Sequence, residues 1–139
     1  MSDKFIITSL DVPSLKEICH NCGSKSVKDG CGYMQWIYFH NPERCRLSLV
    51  PGVGFWFGTV SKKHFRLIEF AVHKNHQGEG YGRALFEELC QYVSELGLNK
   101  ITLRTSMYES AINFWERIGG AKVVGVKKDD YELEIDLGA

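Results

Sequence analysis

The chain has 139 residues, which is enough for one domain with a single core and too few for two. Lys plus Arg and Asp plus Glu number 17 each, so the formal net charge is zero and no broad electrostatic field attracts nucleic acid or a membrane surface. No apolar run approaches the roughly 18 residues of a membrane-spanning helix, so we expect a single domain over residues 1–139 with neither nucleic acid nor membrane as a partner.

The first half of the chain predicts one helix and several strands. Residues 5–10 predict a first strand, after which Asp11 suits a helix N-cap and Pro13 the first helical turn. The dense aromatic run over residues 33–39 is compatible with either a helix or a strand. Alternating patterns separated by turns then predict a β-meander of three strands, over residues 44–50, 53–60 and 65–72.

In the second half of the chain, the spacing of the apolar residues changes. Apolar residues recur every three or four positions over residues 81–96 and predict a helix, which Gly97 ends. A strand over residues 100–105 leads to a second helix, opened by the S-x-x-E capping box at Ser106 and ended at Gly119. Strands over residues 121–126 and 131–137 complete an α/β domain of about seven strands. The strands flanking the first of these helices are expected to be parallel neighbours joined by a right-handed crossover.

The turn QGEGYGR over residues 77–83 joins a strand to a helix and carries three glycines. Glycines let the backbone approach a ligand, and the free N–H groups of a helix N-terminus attract a phosphate or pyrophosphate. No Lys-Ser or Lys-Thr follows, as a P-loop requires. A dinucleotide fingerprint would lie in the first βα unit with an acid on the next strand, and neither condition holds.

Five cysteines, an odd number, indicate free thiols in a reducing compartment. The N-terminus has no basic segment followed by a long apolar stretch, so a cytoplasmic location is expected. Cys19 and Cys22 have the spacing of a metal knuckle, and Cys31 or Cys45 could complete a zinc site. The alternative is that Cys19 packs in the core and the other thiols are incidental; we predict no metal.

Residues 68–85 resemble motif A of the GNAT superfamily of N-acetyltransferases, with Ala71-Val72 ending the strand and Gln77-x-x-Gly80-x-Gly82 opening the helix. Residues 111–119 are similar to the A-x-x-F-Y-x-x-x-G motif of the same family. The resemblance implies a GNAT-like mixed, mostly antiparallel sheet with a parallel, splayed central pair and about four flanking helices. It also implies an acyl-CoA-dependent N-acyltransferase, with acetyl-CoA as co-substrate and a primary amine of a small molecule or protein as acceptor.

The resemblance further implies where CoA binds. Amides of the glycine turn would hold the pyrophosphate, and the exposed edge of the preceding strand would pair with the pantetheine, which requires that strand to splay from its neighbour, usually through a bulge. The implied CoA-binding residues are Phe70, Ala71, Val72, Gln77, Gly78, Glu79, Gly80, Tyr81, Gly82, Arg83, Tyr108 and Trp115.

Catalytic roles are assigned by the same resemblance. Glu69 is the candidate base, since the family often places a base on this strand; alternatively it faces solvent. The N–H of Val72 would stabilise the oxyanion. Many relatives use a tyrosine to protonate the leaving thiolate, but this chain has Trp115 at that position, so Tyr108 or water would act instead. His73 and His76 are further candidate bases near the phosphates.

The acceptor remains open. The first helices and the facing strands, including Trp36, Tyr38, Phe39 and Trp56, would either line an aromatic acceptor cleft or fill the core. Two alternatives to the enzyme stay open as well, a non-catalytic acyl-CoA-binding or regulatory module and a zinc-stabilised interaction domain. A homodimer is also left open.

Overall fold

The computed structural model describes residues 3–24, 30–106 and 109–138. Four α-helices lie in these ranges: α1 (Val12–His20), α2 (Gly30–His40), α3 (Tyr81–Glu95) and α4 (Glu109–Gly119). Six strands accompany them: β1 (Cys45–Val50), β2 (Gly54–Val60), β3 (Phe65–Val72), β4 (Lys100–Ser106), β5 (Lys122–Lys127) and β6 (Asp130–Asp136). Within the described ranges, no helix has the length and apolar character needed to span a bilayer.

The strands form one sheet in the order β1-β2-β3-β4-β6-β5. Neighbouring strands are antiparallel except for β3 and β4, which are parallel and are connected through α3. The predicted fold class, a mixed and mostly antiparallel sheet with one parallel central pair and four helices, is confirmed. The sheet has six strands in the described part of the chain, where about seven were predicted.

The missing strand is the first one. Residues 5–10 form only a single bridge, between Ile6 and Arg46, rather than a strand. A local turn competes with pairing here, because the Asp3 carboxylate accepts a hydrogen bond from the Phe5 N–H (2.9 Å) and the Asp3 carbonyl accepts one from the Ile6 N–H (3.2 Å). The predicted cap of the following helix is present, since Asp11 Oδ1 accepts from the Ser14 N–H at 3.2 Å.

Two hydrophobic clusters cover the two faces of the sheet. One packs α3 and α4 against Trp56 and Leu67, with Leu89 and Val93 fully buried. The other packs α1 and α2 against the opposite face, and its largest buried side chains are Leu15, Ile18, Met34, Phe55 and Phe57. The aromatic run over residues 33–39 is therefore helical and buries one side. Trp36 and Phe39 stay exposed, whereas Trp56 belongs to the core.

A bulge in β3 prepares the site. Phe57 lies opposite Glu69 and Gly58 lies opposite Leu67, which leaves Ile68 as the extra residue. Ile68 packs against the α1/α2 side while Phe70 packs against the α3/α4 side. Side chains alternate along a regular strand, so Glu69 lies on the face opposite to that of Phe70, which is the α1/α2 face. Ile68, the extra residue of the bulge, lies on this same face. Without the bulge, this carboxylate would point to the other side of the sheet.

Candidate active site

The parallel pair β3 and β4 separates after a short paired stretch. Cα partners are found at only three positions, of which Leu67 and Leu103 form the last. Beyond them, β3 still pairs with β2, and the His73 N–H donates to the Val53 carbonyl in the β2 direction (2.7 Å). Backbone groups of successive strand residues point to opposite sides. The N–H and C=O of Val72 therefore point into the gap left by β4, as the predicted splay requires.

The glycine turn closes onto this gap. Gln77 Nε2 donates to the carbonyls of Val72 (3.0 Å) and Cys22 (2.8 Å). Gly78 and Gly80 have φ of +81° and +91°, a region that side-chain-bearing residues avoid. Gly80 is the N-cap of α3 and supplies no side-chain hydrogen bond to the first turn.

The first turn of α3 consequently offers free donors. The Ala84 N–H donates to the Gly80 carbonyl at 3.0 Å, which begins the helical ladder. The amides of Tyr81, Gly82 and Arg83 precede it and have no acceptor within the helix. They lie at the positive end of the helix dipole, where an anion is stabilised.

A cavity of about 400 Å³ lies between the turn and the open end of β3. Six of the predicted CoA-binding residues line it together: Phe70, Ala71, Val72, Gln77, Gly78 and Gly82. Three further lining residues, Cys22, Ser24 and Phe114, had not been predicted to bind CoA. Phe114 lies on α4. Cys22 and Ser24 come from the loop after α1, which is far away in sequence and carries no local signal.

Three predicted residues do not turn their side chains into this cavity. Glu79 Oε1 lies 2.9 Å from His76 Nδ1, and the half-exposed Tyr81 ring packs edge-on against the His76 ring. Arg83 instead lines a separate cavity, between α3, Ile118 of α4 and Leu137. Any contact of these residues with a phosphate therefore involves their backbone amides.

Of the two aromatic residues predicted to bind CoA from the second motif and its approach, the structure describes Trp115 but not Tyr108. Trp115 is buried, and its ring meets that of Phe70 edge-on at 5.5 Å between centroids. It packs beneath the parallel strands and lines a cleft of about 380 Å³ there. Tyr108, the predicted substitute proton donor and CoA contact, lies outside the described residues.

A second cleft, of about 380 Å³, opens between the separated strands and adjoins the first cavity. The two share Ser24, Phe70 and Phe114 in their walls. Glu69 lines this second cleft and is partly buried rather than solvent-facing. Burial disfavours the charged form and raises the pKa of Glu69 to about 8. A carboxylate with a pKa near neutrality can accept a proton from an ammonium group.

The two candidate histidines have other partners. His73 is buried, its Nδ1 accepts from the Asn75 N–H (3.1 Å), and its Nε2 lies 3.5 Å from Glu17 Oε1. His76 is held by Glu79. Neither lines the cleft of Glu69. The geometry favours Glu69 over both as the base.

The cysteines do not assemble into a metal site. All five are free thiols, and burial raises the pKa of Cys19 to about 12, which disfavours the thiolate that a metal needs. The Cys22 thiol donates to the Cys19 carbonyl at 3.3 Å. Among the described residues, no group of three or more His, Cys, Asp or Glu side chains could hold a metal ion. The interpretation of Cys19 as a core residue fits these observations.

The family model of the acetyltransferase (GNAT) family matches residues 18–120. Solved structures share the fold. The ribosomal-protein-S18-alanine N-acetyltransferase from Escherichia coli superposes with a TM-score of 0.75 at 18% identity, covering 98% of this chain and 93% of its own. PaiA N-acetyltransferase from Thermoplasma acidophilum, in complex with coenzyme A, gives 0.72 at 13% identity with coverages of 91% and 92%.

An aminoglycoside 6'-N-acetyltransferase complexed with coenzyme A is also similar, with a TM-score of 0.67, 18% identity and coverages of 92% and 91%. No curated protein matches the sequence. At these identities the structural similarity establishes the fold, and the family match establishes membership. The chain belongs to the GNAT acetyltransferase family.

Proposed function

We propose that the protein transfers an acetyl group from acetyl-CoA to a primary amine. The observation that carries the proposal is the divergence of β3 from β4, which turns the Val72 N–H towards an open gap beside the glycine turn, while the Val72 carbonyl accepts from Gln77. An extended pantetheine would pair with that edge as an added strand, and its pyrophosphate would lie on the amides that begin α3. Coenzyme A in two structures of the same fold supports this assignment.

Glu69 would act as the general base. Its carboxylate accepts a proton from the acceptor's ammonium group, directly or through one water, and the free amine attacks the thioester carbonyl carbon. The raised pKa of about 8 brings the carboxylate closer in basicity to an amine than an exposed glutamate would be. The position of Glu69 in the cleft that adjoins the CoA cavity supports this role.

Collapse of the tetrahedral intermediate needs an oxyanion donor and a route for the thiolate. The Val72 N–H points into the gap between the strands, where it can donate to the developing oxyanion. Alkyl thiols have a pKa of about 8.5, so the CoA sulfur can leave as a thiolate when the C–S bond breaks. The proton that the attacking nitrogen then releases can reach this thiolate through water, which gives the amide and the free thiol. No dedicated acid at Trp115 is needed for this sequence of steps.

Two measurements test the proposal. Acetyl-CoA at about 100 times its dissociation constant is expected to stabilise the protein by about 2.7 kcal/mol in a thermal-shift titration. Thiol release in an amine library is then expected to exceed acetyl-CoA hydrolysis, and Glu69→Gln is expected to abolish the excess. No stabilisation at millimolar acetyl-CoA would sink the proposal.

A second candidate function is an acyl-CoA-binding module without transfer activity. The tryptophan at position 115, where relatives have a tyrosine, favours it, since its buried ring serves packing. This candidate predicts the same thermal stabilisation but equal thiol release with and without every amine tested.

A further inference from the structure

Two arginines flank the mouth of the cleft that contains Glu69. Arg66 lies on β3 in register with Thr102, and Arg104 lies on β4 just where the two strands cease to pair. Both side chains are exposed and line the cleft together with Glu69. An acceptor that enters from this side passes between two guanidinium groups.

The two arginines differ in their partners. One terminal nitrogen of Arg104 lies 3.3 Å from Asp130 Oδ2 and donates to the Lys127 carbonyl at 3.4 Å. The side chain of Arg66, in contrast, has no hydrogen bond or ion pair among the residues that the structure describes. Within these ranges, the Arg104 charge is offset by Asp130, while that of Arg66 is not.

The entrance of the cleft is therefore positively charged. Burial raises the pKa of Glu69 to about 8, so this carboxyl is largely uncharged near neutral pH before an acceptor arrives. The guanidinium of Arg66, which has no charged partner within the described ranges, then sets the sign of the field at the entrance. A guanidinium binds carboxylate or phosphate through two parallel hydrogen bonds, and it repels a second ammonium group.

We propose that the acceptor is an amine that also carries a carboxylate or phosphate, and that Arg66 binds this anion while the amine faces Glu69. The inference rests on the proposed acetyl transfer and adds the chemical class of the acceptor. Glu69 follows Arg66 by three positions along β3, so the two residues are roughly 10 Å apart at the backbone. Tyr33, half-exposed on α2, lines the same cleft and offers an apolar surface for the carbon chain between them.

The test compares four small amines under the same conditions. γ-Aminobutyrate and phosphoethanolamine carry the two candidate anions, butylamine carries none, and putrescine carries a second cation. We expect kcat/KM for at least one anionic amine to exceed that for butylamine by about tenfold or more, the size expected of a charge-assisted pair. Putrescine should be the poorest acceptor. The better of the two anionic amines distinguishes carboxylate from phosphate.

Variants assign the preference to one residue. Arg66→Gln is expected to bring the ratio between the anionic amine and butylamine close to one, and Arg66→Lys to leave an intermediate ratio because the charge remains without the planar fork. Lys63→Gln is the matched control, since it removes an exposed positive charge from the turn before β3. It should leave the ratio unchanged.

The outcomes separate this inference from the proposed function. Acetylation of all four amines at similar rates, or a ratio unaffected by Arg66→Gln, overturns the inference and leaves acetyl transfer standing. If no amine is acetylated, binding of γ-aminobutyrate and of phosphoethanolamine to the CoA-bound protein is measured by calorimetry. Binding that Arg66→Gln abolishes supports the anion site without transfer, and absence of binding for both overturns it.

Discussion

The side-chain amide of Gln77 is hydrogen-bonded to the main-chain carbonyl of Val72, with 3.0 Å between Nε2 and the oxygen. The same nitrogen donates to the Cys22 carbonyl at 2.8 Å. One side chain thus ties the end of β3, the loop after α1 and the start of the glycine turn together. The cavity proposed to bind CoA is bordered by these three segments, and this side chain links them.

Gln77→Leu is expected to weaken acetyl-CoA binding as well as to lower stability. The change keeps the size of the side chain but leaves two carbonyls without their donor, at a cost of about 1 kcal/mol each. We expect the dissociation constant for acetyl-CoA, measured by calorimetry, to rise about tenfold. Gln91→Leu is the control, because Gln91 Nε2 makes an exposed hydrogen bond to Glu95 (2.9 Å) on α3, away from the cavity. Equal affinities of the two variants would contradict this role of Gln77.

Gly78 and Gly97 form a matched pair for testing whether the glycine turn over residues 77–83 binds the ligand. Both have φ of +81°, and a Cβ added to either meets no atom within 4 Å. Alanine at each position should therefore cost a similar 1 kcal/mol or so of stability. Of the two, only Gly78 lines the cavity proposed to bind CoA, while Gly97 follows the far end of α3.

We expect Gly78→Ala to reduce acetyl-CoA affinity severalfold and Gly97→Ala to leave it unchanged. Calorimetric titration with acetyl-CoA measures both affinities, at a temperature at which both variants are folded. The Cβ at position 78 would occupy space through which the ligand approaches the backbone. A loss of affinity in both variants would mean that backbone strain causes it, rather than a lost contact between the glycine turn and the ligand.

The sequence predicts the parts of this site that lie within one continuous segment. Phe70 to Val72 and the turn from Gln77 to Gly82 are adjacent in the chain, so a local motif identifies them together. Cys22 and Ser24 reach the same cavity through tertiary packing of a distant loop, for which no local pattern exists. The Asp3 turn likewise replaces a predicted strand, because a side-chain hydrogen bond competed with sheet pairing.

Glu69 was predicted from its place on the strand, but its orientation depends on the bulge at Ile68. A one-residue bulge reverses the faces of all residues that follow it. The hydrophobic pattern of β3 does not predict the bulge. The strand is apolar both before it, at Phe65 and Leu67, and after it, at Phe70 and Val72, so no position marks the change of face. The alternative that Glu69 faces solvent therefore could not be dismissed from the sequence.

The rate of acetyl transfer should depend on pH through Glu69. A base must be deprotonated to act, so kcat/KM should fall about tenfold for each pH unit below the pKa of about 8. Wild type takes the acceptor as its ammonium form, so its kcat/KM should level off above pH 8. Glu69→Gln has no base and depends on the free amine, whose fraction keeps rising up to the ordinary amine pKa of about 10. We expect wild type to be about 10²–10³ times faster below pH 8 and this advantage to shrink about tenfold per pH unit above it. Profiles of the two proteins that level off at the same pH would exclude Glu69 as the base.

The same carboxyl should also link stability to pH in a defined direction. Its folded pKa of about 8 lies above the ordinary value of 4.5, so between these values the folded state holds a proton that the unfolded state has lost. The stability from this group is complete below pH 4.5 and is lost as pH rises towards 8. Each pH unit in that window corresponds to about 1.4 kcal/mol.

Glu69→Gln removes this titration, so the variant should gain on wild type by about 2 kcal/mol between pH 6 and pH 8. Urea unfolding at several pH values measures the difference. Glu87→Gln is the control, because Glu87 is exposed on the outer surface of α3, and its difference from wild type should change little over the same range. A constant difference for Glu69→Gln would show that Glu69 is hydrated in the folded protein, and the pH dependence of transfer would then need another group.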